Sequence, residues 1–474
     1  KKLLGQGKFG HAKLGAESRA KYALSTARME QVGYPVNVEE MRNFSDNVQE
    51  IINSCCREIN ELFPDIAPFD FNKNTLTFSR KESKVREWIE KQNFPKWEKT
   101  ETGKLSLSLD AFEAHFTHSH FYPKDCFGAQ MLRYLKLNQS LNGFKPSKKD
   151  TETIWDKLGS DGRIRPYFGI YGAQSSRSQP SSTGFIPLKA AWMRSLIQPP
   201  KGRAIIGIDY KSQEFLLGAL LSKDFSMVSA YESGDVYMAF ALASGMAPKG
   251  ATKHTHPHER QLAKSLVLGV GYQMSKVGLA VHLSAATKTR VTELEAQKYI
   301  DLYDKTYPNF KAYKDQIWQD YQVHKKVHLP DYWYMWGGNK NFRSVANMPV
   351  QGLGASIMRK AVELMEEAGL TVIFTLHDAI YIEADAFDLM AIDTMAACME
   401  QANRFYFLNQ VDILPRANVG LDIFTWSPDY KESSIVTPDG RKIDVSNLYI
   451  DERSLDEYEQ FKQYFNASLE DSLL

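Results

Sequence analysis

Apolar positions along the chain change period several times, and the changes predict its elements. Met41, Phe44, Val48, Ile51 and Ile52 recur at helical spacing and predict a helical region over 21–65. The polar, lysine-rich stretch that follows, FDFNKNTLTFSRKESKVREWIEKQNFPKWEKTETGKLSLSLDAFEAHF, predicts a hairpin-like region between helices. A proline-rich bend, IQPPKGRAIIGIDY, leads into the unbroken apolar run Ala204 to Ile208, which predicts a buried strand ending at Asp209. The pattern is helical again from 221 to 330, and 341–433 alternates helix, hairpin, helix and strand. Within that last part, the arms Val372 to Leu376 and Ile380 to Ile382 meet at a polar pair, His377 and Asp378, which predicts a β-hairpin with Asp378 at its turn. These elements predict a mixed sheet flanked by helical subdomains. The chain contains no internal repeat and no low-complexity tract.

Composition narrows the class only a little. With 474 residues, 43% hydrophobic, 24% charged and 12% aromatic, the chain can bury one large core or two to three smaller ones. No apolar run approaches the ~18–20 residues of a membrane span, and no contact with a membrane is expected. The start KKLLGQGKFG lacks signal-peptide hydrophobicity and an initiator Met, so Lys1 reads as a cut or processed end. Cys55, Cys56, Cys126 and Cys398 form neither a zinc spacing nor a disulfide framework, which suits a reducing, cytoplasmic setting.

Charge adds more through its distribution than through the net value of +1. No acid occurs between Asp161 and Asp209, yet Arg163, Arg165, Arg177, Lys189, Arg194, Lys201 and Arg203 do, interleaved with Tyr167, Phe168, Tyr171, Phe185 and Trp192. The first 28 residues carry Lys1, Lys2, Lys8, Lys13, Arg19, Lys21 and Arg28 against Glu17, whereas the last 24 carry seven acids against Arg453 and Lys462. Cationic segments beside an acidic tail suit a protein that tracks a phosphate backbone on one face.

Two strand-end carboxylates far apart in sequence, Asp209 and Asp378, offer the hard oxygen donors that a divalent cation takes. PHERQLAKSLVLGVGYQM sets Arg260, Lys264, Leu268 and Tyr272 four residues apart, drifting ~40° per step and so sharing a broad helical face. Pro257 marks the first turn and Glu259 suits the positive N-terminal end. A face running from two cations through an aliphatic residue to an aromatic one can hold a triphosphate at one end and a sugar and base at the other. Gly269 and Gly271, each costing ~1 kcal/mol in a helix, are read as part of that demand.

Together, DYKSQEF (209–215), RQLAKSLVLGVGYQ (260–273) and LHDA (376–379) resemble motifs A, B and C of the family A DNA polymerases. SSRSQPSSTGFIP (175–187) is similar to the Thr-Gly-Arg segment of that family, RSVANMPVQGLGA (343–355) to its Arg-x3-Asn-x-Pro-x-Gln-Gly segment, and KTETGKLSLSLDAF (99–112) to its lysine-rich thumb segment. The resemblance covers roughly residues 25 to 433. It implies an α/β (α+β) right-hand polymerase architecture with an antiparallel-sheet palm, helical fingers and a helical thumb. The expected parts are an N-terminal basic segment and start of the palm (1–44), thumb (45–150), palm (151–221), fingers (222–340), palm (341–433) and an acidic C-terminal extension (434–474).

The resemblance also implies roles for individual residues. Asp209, Asp378 and the backbone carbonyl of Tyr210 would hold two Mg²⁺ ions, with Mn²⁺ able to substitute. Arg260 and Lys264 would bind the triphosphate, and Lys264 could protonate the leaving group. Leu268 and Tyr272 would pack on the sugar and base of a deoxynucleoside triphosphate, and Glu214 would exclude a 2′-hydroxyl. Arg177, Arg343, Asn347, Gln351 and His377 would contact primer-template DNA. Pro349 is expected to interrupt any helix between Asn347 and Gln351. Glu383, at +5 from Asp378 along a strand, is expected to face the opposite side and to be no metal ligand.

Several residues depart from the family pattern. Ala379 stands where a glutamate usually follows the His-Asp pair, Tyr237 where bacterial members often have His, and Gln273 where Gly usually follows the tyrosine. The implied activity is template-directed DNA synthesis in viral or phage-like replication or in repair, by a monomer working in a cytoplasm or a host cytoplasm. The chain is expected not to proofread, since too few residues precede position 25 for an exonuclease. The 434–474 extension could dock a replication partner. An RNA-synthesising or reverse-transcribing relative and an inactive polymerase-like DNA-binding factor are the alternatives. Glu214 argues against the first, and the retained Asp209, Asp378, Arg260 and Lys264 argue against the second.

Overall fold

The computed structural model describes residues 8–92, 94, 97–100, 102–116, 125–144, 152–180, 183–185, 196–287, 291–329, 333–385, 388, 390–407, 419–426, 434–436 and 442–444. The helical region expected over 21–65 is two helices, α1 (Lys8–Val32) and α2 (Val38–Leu62). Gly33 breaks it. Its φ of +64° is left-handed, and a Cβ there would sit 2.4 Å from the Ile164 carbonyl oxygen. The chain can therefore pass close enough for β1 (Tyr34–Pro35) to pair with Arg163–Ile164. Asn37 restarts the helix by accepting a hydrogen bond from the Glu40 N–H at 2.9 Å. Met41, Val48, Ile51 and Ile52 are buried as their spacing predicts. The side chain of Phe44 lies outside the described residues.

The lysine-rich stretch forms the expected hairpin, β2 (Phe69–Asn72) and β3 (Thr77–Arg80), followed by α3 (Glu82–Gln92), α4 (Leu109–Phe116) and α5 (Phe127–Asn142). Short strands β4 (Arg163–Ile164), β5 (Phe168–Gly169) and β6 (Gln179–Pro180) lead to β7 (Arg203–Tyr210). A helical stretch follows: α6 (Gln213–Ser222), α7 (Phe225–Glu232), α8 (Val236–Ala243), α9 (Pro257–Gly271), α10 (Lys276–Thr287), α11 (Glu293–Thr306) and α12 (Pro308–His324). The hairpin β8 (Lys326–His328) and β9 (Tyr334–Trp336) precedes α13 (Phe342–Glu367). The strands β10 (Thr371–Leu376) and β11 (Ala379–Asp385), α14 (Met390–Phe407) and β12 (Val419–Trp426) come next. A final hairpin pairs β13 (Ser434–Val436) with β14 (Lys442–Asp444), and the remainder of the acidic extension lies outside the described residues.

The principal sheet is antiparallel, with strand order β10-β11-β7-β12. Its interior strand β7 carries the apolar run, and Ala204, Ile205, Ile206 and Ile208 are all buried, as an element covered on both faces requires. Helices α1 and α13 pack on β10, and α14 packs on β7 and β12.

Three expectations need correction. Helix α13 runs unbroken through Pro349. The local cost of an interior proline is ~3 kcal/mol, but this helix is packed against α1, α6, α12 and α14, and that burial outweighs it. The basic stripe over 162–208 is largely compensated from within the protein. Arg163 pairs with Glu383 at 2.6 Å, Arg165 with Asp161 at 2.7 Å, Arg177 with Glu214 at 2.7 Å and Arg203 with Glu383 at 3.3 Å. Lys189 and Arg194 lie outside the described residues. Of the N-terminal cations, Lys21 is bonded to Glu363 and Glu367 and Arg28 to Glu366, so these two charges dock α1 on α13. Finally, Gly269 answers to packing, since a Cβ there would lie 2.8 Å from Leu279 Cδ1 on α10.

Glu383 is held by Arg163 and Arg203, and takes no place beside Asp378. Cys55, Cys56 and Cys398 are buried free thiols, and Cys126 is a partly exposed one. Among the described residues no helix is long and apolar enough to cross a membrane.

Candidate active site

The sheet brings the two sequence-distant carboxylates to adjacent strand ends. Ala379 lies directly opposite Asp209, and the Tyr210 N–H donates to the Asp378 carbonyl at 3.2 Å. On its other side Asp209 faces Gly420, so both cross-strand neighbours lack bulk. His377 adopts φ +54°, the left-handed conformation that lets Leu376 and Ala379 close the turn around Asp378. Ser212, at φ +53°, bends the chain out of β7 into α6 and places Glu214 in its first turn. Two non-glycine residues in this region beside the carboxylates mark local strain, on the order of 1 kcal/mol or more each.

A cavity of about 370 Å³ opens between α6, α9 and the β10-β11 turn, lined by Glu214, Arg177, Tyr237, Leu268, Tyr272, Asn347, His377 and Asp378 among others. The resemblance-derived residues Leu268 and Tyr272 thus share one wall, and each keeps more than a third of its surface exposed. Leu268 therefore faces open space and is not consumed in packing α9. The Arg177 guanidinium donates to Glu214 Oε1 at 2.7 Å across the cavity. Burial pushes the Tyr272 hydroxyl up to about 12, with Glu214 adding to the rise and Arg177 opposing it. Asn347 Nδ2 donates to the Tyr272 carbonyl at 3.2 Å, tying α13 to the end of α9. Because α13 is continuous, Arg343, Asn347 and Gln351 lie along one face, accessible on a helix whose Val345, Ala346, Met348, Pro349 and Val350 are buried.

Farther along α9, Arg260 and Lys264 lie over one aromatic ring, that of Tyr237, at 5.5 and 5.9 Å from its centroid. Arg260 Nε also donates to Asp235 Oδ2 at 2.6 Å. Burial works against ionisation of Asp235, but Arg260 and the Met238 N–H outweigh it and hold the carboxyl below its ordinary range. The sequence marks Tyr237 only as a departure from the family pattern, and Asp235 is missed there as a partner of Arg260. Asp235 is legible there as a helix cap, and it does cap α8, but its bond to Arg260 depends on how α8 packs on α9. Arg359 is missed as well. Buried on α13, it donates to the Ser176 carbonyl at 2.9 Å and to the Ser356 hydroxyl at 2.7 Å, and so fixes the turn that presents Arg177. A second cavity of about 640 Å³ adjoins the first at Arg177 and His377.

Among the described residues no three His, Cys, Asp or Glu side chains converge as a closed metal cage. The donors on hand are two strand-end carboxylates and a neighbouring backbone carbonyl. That set fits Mg²⁺, which commonly takes one or two carboxylates and completes its shell with water and substrate phosphate.

The described site thus joins an antiparallel sheet with two strand-end aspartates to a helix that carries two cations and ends at an aromatic residue. The family model for DNA polymerase family A matches residues 39–422, and the chain belongs to that family. It is 24% identical over 408 residues to DNA polymerase I of Lactococcus lactis subsp. lactis (strain IL1403), covering 79% of this chain and 42% of that protein. With DNA polymerase I of Geobacillus stearothermophilus it shares 25% over 391 residues, covering 76% and 40%. The chain thus spans about two fifths of the length of these relatives. A solved structure of similar fold is the POL domain of Pol1 from M. smegmatis in complex with DNA primer-template and dNTP, at TM-score 0.63 and 17% identity over 86% of this chain and 69% of that one. The fold is accordingly the right-hand α/β (α+β) architecture of the family.

Proposed function

We propose that this chain is a template-directed DNA polymerase that adds deoxynucleotides to a primer 3′-hydroxyl. The observation that carries the reading is the meeting, around one cavity, of Asp378 beside Asp209 with the wall formed by Glu214, Leu268 and Tyr272. In this reading Asp209, Asp378 and the Tyr210 carbonyl would hold two Mg²⁺. With the ions bound, the site gains the Lewis acidity that lowers the pKa of a hydroxyl and neutralises phosphate charge. Arg260 and Lys264 bind the triphosphate; as the bond from the primer 3′-oxygen to the α-phosphorus forms, the hydroxyl proton passes to water, the bond from the α-phosphorus to its bridging oxygen breaks, and Lys264 gives a proton to the leaving pyrophosphate. Glu214 fills the space beside C2′, while Leu268 and Tyr272 pack on the sugar and base.

Arg177, Arg343, Asn347, Gln351 and His377 contact the minor groove of the primer-template, whose acceptors are nearly independent of sequence. Residues 45–150 act as the thumb, 151–221 and 341–433 as the palm, and 222–340 as fingers that rotate to complete the site on correct pairing. The test is Asp209→Ala or Asp378→Ala in primer extension with parallel DNA-binding titrations. Nucleotide addition is expected to be lost and primer-template affinity to change little; near-normal extension by either variant overturns the metal assignment.

A further inference from the structure

The hairpin β8-β9 has one buried and one open face. Register pairs Lys326 with Trp336, Val327 with Met335, and His328 with Tyr334. Val327 and Met335 enter a small core with Tyr321, Leu329, Val345 and Met348, so the hairpin is seated on the same helix that carries Arg343 and Asn347. Alternation then turns Lys326, His328, Tyr334 and Trp336 outward together. Trp336 keeps 69% and Tyr334 53% of its surface exposed, an unusual placement for two large aromatics side by side. The His328 and Tyr334 rings lie 5.9 Å apart. The hairpin is also braced from outside its own core, because the Trp333 indole N–H donates to the Gln174 carbonyl at 3.0 Å and the Lys340 N–H to the Tyr321 hydroxyl at 3.1 Å.

The surroundings are basic in composition. Lys325 and His324 are exposed at the end of α12, and a groove of about 590 Å³ beside the hairpin is lined by His324, Lys326 and His328, with Asp320 as the one acid among its described lining residues. Asp320 already accepts a hydrogen bond from Gln316 Nε2 at 2.8 Å. A rigid surface that pairs two exposed aromatic rings, roughly 7 Å apart along one strand, with the two flexible cations Lys325 and Lys326 has the chemistry that stacks bases and tracks phosphates.

We propose that the outer face of β8-β9 binds unpaired DNA, with Trp336 and Tyr334 stacking bases and Lys325 and Lys326 meeting the phosphates. The unpaired template ahead of the primer end is the strand it would hold. That identification rests on the polymerase reading, whereas the binding itself does not. The test is therefore direct binding of the full chain to fluorescently labelled DNA, read by anisotropy without nucleotide addition, so that a failed polymerase reading leaves it standing. Three probes are used: oligothymidylate, a primer-template with a long 5′ template overhang, and the same duplex made blunt.

The double variant Trp336→Ala/Tyr334→Ala should weaken binding of oligothymidylate and of the long-overhang duplex by about tenfold or more, with the blunt duplex unchanged. Trp336→Phe, which keeps a stacking ring, should stay within about threefold of the parent protein on all three probes. Lys326→Glu gives a second route that leaves the rings in place, and should weaken oligothymidylate binding while flattening its salt dependence. Equal losses on blunt and overhanging duplexes overturn the proposal, as does no loss on any probe. It is also overturned if the double variant abolishes self-association in sedimentation while DNA affinity is unchanged, since the face would then join copies of this chain.

Discussion

Glu214→Ala should raise ribonucleotide incorporation relative to deoxynucleotide incorporation by at least roughly tenfold, equivalent to ~1.4 kcal/mol of lost discrimination. Two effects have to be separated, because Glu214 both occupies space on the cavity wall and accepts the Arg177 guanidinium at 2.7 Å. The pair is partly exposed, at 31% for Arg177 and 24% for Glu214, so its contribution is on the order of 1 kcal/mol. Losing it frees Arg177 and should slow all nucleotides alike, by roughly two- to fivefold. Bulk beside the sugar acts on the ratio alone. Glu214→Gln resolves the two, since it keeps the volume and an acceptor oxygen but removes the charge. Single-nucleotide primer extension with competing ribo and deoxy substrates gives the ratio, and kcat/KM on the deoxy substrate gives the common loss. The alanine variant should shift the ratio, while the glutamine variant should leave it within about threefold and show only a modest common loss. Equal relaxation in both variants would refute the steric argument in favour of a charge effect. Unchanged ratios in both would mean that the sugar does not lie beside Glu214.

Two further substitutions test other parts of the structure. Tyr237→Leu removes the ring beneath Arg260 and Lys264, a contact of ~0.5–1 kcal/mol per cation, and should raise the deoxynucleotide KM by roughly three- to tenfold. Tyr237→Phe should hold KM near the parent value, and a similar rise in both variants would show that the ring face is not what matters. Glu383→Ala removes a buried carboxylate from two partly exposed guanidinium groups and should cost about 3 kcal/mol in urea denaturation. A loss below about 1 kcal/mol would show that the cluster is solvated in practice.

What the sequence made legible depended on whether the cause was local. The run Ala204 to Ile208 is a buried strand because five apolar residues in succession can be covered only on both faces, and Pro257 opens a helix because its missing N–H is one that the first turn does not use. The Asp378 turn was readable from two apolar arms. Partner choice was not local. Arg163 lies in a stretch without acids, yet its carboxylate comes from Glu383 in β11, and Lys21 finds Glu363 on a helix more than three hundred residues later. Counting charges along the chain therefore suggested an open basic stripe where the fold builds internal ion pairs. Pro349 and Gly269 reveal the same limit from the backbone side. A propensity rule assigned one a break and the other a functional role, and tertiary packing decided both.

The departure at Ala379 also takes its meaning from the fold. Position 379 pairs across the sheet with Asp209, is 4% exposed, and is followed by the fully buried Ile380 and Tyr381. An acidic side chain at that position would stand beside two other carboxylates at the sheet edge, drawing cations but also repelling its neighbours. Alanine gives up both effects, and Glu383 does not restore them, because it is committed to Arg163 and Arg203. With Gly420 on the opposite side of Asp209, the strand ends stay uncrowded. A cation held there has fewer protein charges to bind and must draw more of its shell from water and from the substrate phosphates themselves. Under the proposed function, the burden of placing those phosphates would then fall on α9. There Asp235 and Tyr237 fix Arg260 from two directions, by an ion pair and by a ring face, and Tyr237 reaches Lys264 as well. In this reading, Ala379 and Tyr237 are linked: the chain carries less charge where the metals would sit, and more order where the triphosphate would arrive.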